Sequence, residues 1–189
     1  MLRDVALAIG AMWLAFFLFW VVEATRAKRT TRRSVRPTRF RALAIIAIGF
    51  LLQVYLAHHY GRHASGLINV NPSLAIVGAV LCALGLAFAI WARVHLGRNW
   101  GMPMSVRENP DLVTSGPYAS VRHPIYAGIL LAAVGTTVVE QRWWLALLVV
   151  FFIYFIYASI VEERAMREQF PVQYPPYVRR TKMLVPFLL

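Results

Sequence analysis

Apolar residues in this chain run in long blocks rather than alternating or recurring every third or fourth position. Block one covers residues 5–23, VALAIGAMWLAFFLFWVVE, and block two about 42–60. Block three covers about 72–93 and opens on Pro72, which suits a first helical turn. Block four, about 124–139, is shorter, and block five, 143–161, holds no charge. A helix rising about 1.5 Å per residue needs about 20 apolar residues to cross the hydrocarbon core, so each long block predicts a membrane-spanning helix. Block one is too long for the apolar part of a signal peptide, and an arginine cluster follows it, so a retained anchor is expected. Only Glu140, Gln141 and Arg142 join blocks four and five, which predicts an antiparallel helical hairpin with Trp143 and Trp144 at the membrane interface. The expected fold is all-α: a polytopic membrane protein of five transmembrane helices ending in a helical hairpin.

Charge turns this pattern into a topology. The chain carries a net charge of +12 with 15% charged and 59% hydrophobic residues. Its basic residues flank the apolar blocks. The stretches 26–41, 93–122 and 164–182 hold 17 of the 20 Lys and Arg, and five spans put all three on one side. The bias of basic residues toward the cytoplasm then places the N-terminus outside and the C-terminus inside. The loop at 26–41 also suits anionic lipid headgroups. Only Phe40 is interleaved among these charges, too few aromatic rings to stack on successive bases, which argues against a nucleic-acid partner. Cys82 is the only cysteine, so no disulfide forms within the chain. Polar residues inside the blocks are too few for a transport path: Glu23, Gln53 and Ser73 lie near ends or alone. Gly78, Cys82 and Gly85 give block three a small-residue face suited to close helix packing, within or between chains.

The remaining chemistry sits in residues 95–128 and 162–189, at the two cytoplasmic ends of the hairpin, so these segments are expected to meet. In the first, LVTSGPY predicts an extended piece and a turn, with Gly116 at positive φ and Pro117 fixing the next φ. Pro124 opens block four, which puts His123 just before a helix N-terminus, where amide groups attract anions, with the forked donor of Arg122 beside it. Tyr118 and Tyr126 are placed to cover an aromatic base or shield a reactive centre. In the second segment, Glu162 and Glu163 follow a fully apolar run. The helix is expected to continue to about Phe170, ahead of Pro171. Arg167 is spaced to pair with either glutamate, whereas the i+4 position from Glu162 is Met166. A carboxylate at the membrane edge is a functional candidate.

Taken in order, LVTSGPYASVRHPIYAG and the downstream EERAMREQFPVQYPPYVRRTKMLVPFL resemble the isoprenylcysteine carboxyl methyltransferase family and the wider group of membrane phospholipid methyltransferases. The resemblance covers about residues 93–189. It implies S-adenosylmethionine as methyl donor, S-adenosylhomocysteine as product, and a cytoplasmic site without a Rossmann domain; the chain has no GxGxxG fingerprint either. It further implies that Leu112, Val113, Tyr118, His123, Pro124, Ile125 and Tyr126 line the cofactor and that Glu162 closes the site. Glu162, Glu163 and Arg122 are the candidate catalytic residues, and no metal is expected. Residues 1–94 then form an anchoring region of three spans with the Arg-rich loop, and 95–189 the catalytic region. The isoprenylcysteine enzymes carry an arginine about one turn before the matching glutamate, where this chain has Ala158. The acceptor therefore stays open among a carboxylate, a thiol and a lipid headgroup. The alternative is a non-catalytic lipid-binding or regulatory protein that keeps the fold.

Overall fold

A computed structural model describes residues 1–26, 71–97, 111–140 and 142–185. Their helices are α1 (Leu2–Arg26), α2 (Pro72–Leu96), α3 (Pro124–Glu140), α4 (Arg142–Gln169) and α5 (Tyr174–Arg180), with a single 3-10 turn at Gly116–Ala119. The described residues form no β-strand, only one isolated bridge, so the all-α class holds. Three helical stretches are long and apolar enough to cross a membrane: Leu2–Glu23, Pro72–Leu96 and Trp144–Gln169. The apolar stretch Pro124–Val139 is shorter. With the family relationship reported below, these spans make the chain a membrane protein. Block two lies outside the described residues. The helices α1 and α2 nevertheless run parallel, because Glu23 near the end of one meets Arg93 near the end of the other.

Local chemistry sets the helix starts and stops. Asn71 caps α2 by accepting the Ser73 amide at 3.0 Å, with Pro72 in the first turn as expected. Gly97, at φ 55°, ends the helix and returns its amide to the Arg93 and Val94 carbonyls. The helix α3 ends at Glu140 and α4 begins at Arg142, so the helices reach into the link predicted between them. The helix α4 does run on past the apolar block, to Gln169.

The core is built on close approach of α2 and α3. A side chain on Gly78 would strike the Gly135 carbonyl, and one on Gly128 would strike the Gly85 carbonyl. Cys82 and Ala132, both fully buried, lie between these glycine pairs. The small face of block three is thus satisfied within the chain, by Gly128 and Gly135 of α3, which the sequence alone did not single out. Without water to drive burial, such van der Waals contact is what holds membrane helices together. The helix α1 closes the far side with Ile9, Trp13 and Phe16. Trp13 donates its indole N–H to Thr136 Oγ1 at 3.0 Å and stacks on Trp144, with ring centroids 5.7 Å apart. Trp144, at the start of its candidate span, is buried against α1.

Candidate active site

The site lies where the start of α3, the last turns of α4 and the tail after α5 converge. The predicted meeting of the two polar segments occurs, and backbone drives it. Val121 and Lys182 form a parallel bridge. The Arg122 amide donates to the Lys182 carbonyl at 2.8 Å and the His123 amide to the Met183 carbonyl at 3.0 Å. Tyr177 adds a side-chain tie, donating to the Tyr118 carbonyl at 2.7 Å. Burial pushes the Tyr177 hydroxyl up to about 12, against the lowering influence of Arg122, so it remains a donor.

Arg122 is expected from sequence to face an anionic ligand, and the structure gives its donors partners within the chain. Its Nε donates to Glu163 Oε1 at 2.7 Å, and its Nη1 donates to the carbonyls of Val178 and Thr181. Both side chains of the pair are under one tenth exposed. Arg122 thus staples the tail to α4. The predicted Arg167–Glu163 pair also forms, but at 3.9 Å and with Arg167 largely in solvent, so Arg122 is the stronger partner.

His123 stands between the two glutamates. Its Nδ1 lies 3.4 Å from Glu162 Oε2 and its Nε2 lies 3.5 Å from Glu163 Oε1. Burial lowers the imidazole pKa, but hydrogen bonding and charge from both carboxylates outweigh it, and the net shift is upward from 6.5. A group raised in this way stabilises the fold fully below its unfolded pKa, and the contribution is lost as pH climbs through the folded value. The melting temperature of the detergent-solubilised protein is therefore expected to fall as pH rises above about 6.5, and His123→Gln is expected to flatten that dependence. An unchanged slope in the variant would show that His123 is not the titrating group.

Glu162 has the partner that its i+4 neighbour could not supply. The Tyr126 hydroxyl donates to Glu162 Oε1 at 2.6 Å. The Tyr126 ring is sandwiched, stacking on His123 at 5.6 Å and on Phe155 at 4.5 Å. Glu162 remains the more open carboxylate, 23% exposed against 8% for Glu163. The apolar candidates gather beside this cluster. Tyr118 and Ile125 pack with Ala92 of α2, and Val113 packs against them. Pro124 is buried, and Leu112 is half-buried outside that cluster. Gly116 takes φ +58° as expected, and its α-carbon abuts the His95 ring. His95 meets Ser115 Oγ at 2.9 Å and stacks on Tyr118, a role that sequence reasoning did not assign. Among the described residues no group of three or more His, Cys, Asp or Glu gathers as metal ligands.

Residues 74–173 match the model of the phospholipid methyltransferase family, a little over half of the chain. The chain belongs to the phospholipid methyltransferase family. Among curated proteins, the phospholipid methyltransferase family chain is 32% identical to protein-S-isoprenylcysteine O-methyltransferase B of Arabidopsis thaliana, over 59% of this chain and 58% of the relative. It is 29% identical to the A form from the same plant, over 86% of this chain and 81% of the relative. It is also 28% identical to the cobalt-zinc-cadmium resistance protein CzcN of Cupriavidus metallidurans, over 63% of this chain and 52% of the relative. The chain thus spans about half the length of several curated relatives that it matches. The resemblance seen in the motifs is borne out at the level of family.

Proposed function

We propose that this protein is an integral-membrane methyltransferase that uses S-adenosylmethionine to methylate a lipophilic acceptor. The observation that carries the proposal is His123 held between Glu162 and Glu163 at the end of a membrane helix, beside the buried Tyr118–Ile125 patch. The residues present fit the cofactor. His123 presents its two ring nitrogens to Glu162 and Glu163, and the more open Glu162 suits an ammonium or sulfonium. Tyr118, Ile125, Val113 and Leu112 offer apolar surface for adenosine, with Pro124 fixing the turn above them. The charge bias of the loops supports an N-terminus outside and a cytoplasmic site, with residues 95–189 carrying the chemistry.

When bound, S-adenosylmethionine supplies an electrophilic methyl on a sulfonium. The protein's task is then alignment and exclusion of water, not covalent chemistry. The sandwich of Tyr126 between His123 and Phe155 fixes the Glu162 carboxylate. Arg122 acts as a positioning residue, orienting Glu163 and holding the tail over the site. A thiolate or carboxylate acceptor needs no base. For an amine acceptor, Glu162 or Glu163 takes the proton. The exposed apolar faces of the spans, including Tyr157 and Ile160 of α4, give a lipophilic acceptor a path from the bilayer. A second reading, a non-catalytic lipid-binding or regulatory protein, draws on Ala158, which is fully buried and offers no cation for an acceptor carboxylate.

Two measurements test the proposal. Calorimetry in detergent is expected to give saturable heat with S-adenosylhomocysteine, and its absence from folded protein would overturn the cofactor assignment. Incubation of membrane extract with labelled S-adenosylmethionine is then expected to yield a methylated lipophilic product. Binding without any product would favour the second reading.

A further inference from the structure

The largest fully buried side chain among the described residues belongs to a charged residue outside the cluster above. Arg93, in the last turn of α2, is 1% exposed. Its Nη2 lies 2.9 Å from Glu23 Oε2 of α1 and donates to the Glu23 carbonyl at 3.2 Å. Its Nη1 donates to the Gly97 carbonyl at 2.9 Å. One guanidinium thus ties α1, the end of α2 and the turn that leaves it. Arginine suits this role because its planar fork serves several acceptors at once, which a lysine ammonium does not.

The tie lies directly under the patch assigned to adenosine. Ala92, the residue before Arg93, accepts a long 3.5 Å hydrogen bond from the Tyr118 hydroxyl. Ala92 also packs with Tyr118 and Ile125, and Trp20, one turn before Glu23, packs against the same cluster. His95 stacks on Tyr118 and abuts Gly116. Residues 92–97 are therefore the floor on which the 113–118 segment rests, and the floor is pinned to α1. Glu23 lies outside the residues that match the family model, which begin at 74.

We propose that Glu23 and Arg93 are positioning residues for cofactor binding: the pair fixes the end of α2 so that Tyr118 and Val113 present the adenosine surface. The proposal rests on the cofactor reading above. A buried ion pair is weak evidence of stability by itself, since desolvation offsets its attraction, and a positional role accounts for its presence here.

The test is S-adenosylhomocysteine affinity by calorimetry on the full chain in detergent, at a temperature where every variant is folded. Glu23→Gln is expected to weaken binding about tenfold, because it keeps the shape and removes the charge. Arg93→Lys is expected to weaken it at least about as much, because it also gives up the Gly97 carbonyl. Trp13→Phe serves as the control. It removes the hydrogen bond to Thr136, so it is expected to lower the melting temperature while leaving affinity within about twofold. Glu23→Gln and Arg93→Lys proteins that bind like the wild type would overturn the proposal, whatever their stability. So would Trp13→Phe losing affinity as they do, since the effect would then follow stability alone. A wild-type protein without affinity would instead overturn the cofactor reading itself, and this proposal with it.

Discussion

Glu162→Gln is expected to abolish detectable methyl transfer and to weaken S-adenosylhomocysteine binding by about ten- to a hundredfold, the worth of one charge-assisted hydrogen bond. The substitution is nearly isosteric and still accepts the Tyr126 hydroxyl, so the protein is expected to fold. What it removes is the negative charge on the more open of the two carboxylates. Glu163→Gln should behave differently. Its carboxylate accepts from Arg122, and neutralising it leaves a buried guanidinium without its countercharge. Breaking such a pair costs about 3–5 kcal/mol, so Glu163→Gln is expected to lower the melting temperature sharply. Measuring both properties for both variants separates the roles. Equal loss of affinity and equal loss of stability in the two would sink the division of labour between Glu162 and Glu163.

Gly85→Ala should be among the most damaging single-methyl changes in the described helices. Its new Cβ would collide with the Ala132 amide and the Gly128 carbonyl, and backbone cannot step aside as a flexible side chain would. Overpacking of this kind costs about 1–3 kcal/mol, and the cost lies at the upper end because α2 and α3 must separate along their whole shared face. Gly10→Ala is the matched control: nothing lies within 4 Å of the added carbon, and alanine is the better helix former. Thermal unfolding in detergent is expected to show a large drop for Gly85→Ala and none for Gly10→Ala. A tolerated Gly85→Ala would mean that the α2–α3 approach is looser than described.

Spans and site neighbourhood were legible from sequence for different reasons. Long charge-free blocks have few alternatives to a membrane helix, so α1, α2 and α4 could be placed within a few residues. The short link between blocks four and five left one geometry, and that geometry brought residues 122–123 to 162–163. Partner choice was harder to see. Glu163 has arginines on two elements within reach, and only the path of the tail decides for Arg122. The tail itself, YPPYVRRTKM, carries no long apolar period, and its grip on Arg122 and His123 runs largely through backbone carbonyls that no side-chain pattern announces. The stacking of Trp144 on Trp13 was hidden because the two belong to helices far apart in the chain. The Glu23–Arg93 pair was hidden for a similar reason: the two residues are 70 positions apart, and each alone looks like an end-of-span charge.

The ladder joining residues 120–123 to 182–183 sets an order on events. Synthesis proceeds from the N-terminus, so every described apolar helix has been made before residues 178–183 exist to receive Arg122. Until then Arg122 lacks two of its carbonyl acceptors, the His123 amide lacks Met183, and Tyr118 lacks the tie from Tyr177. The helices α1, α2 and α3 can thus insert and pack while the site is still unbuilt. The chemistry of the site waits on its tail, the last described part of the chain to be made.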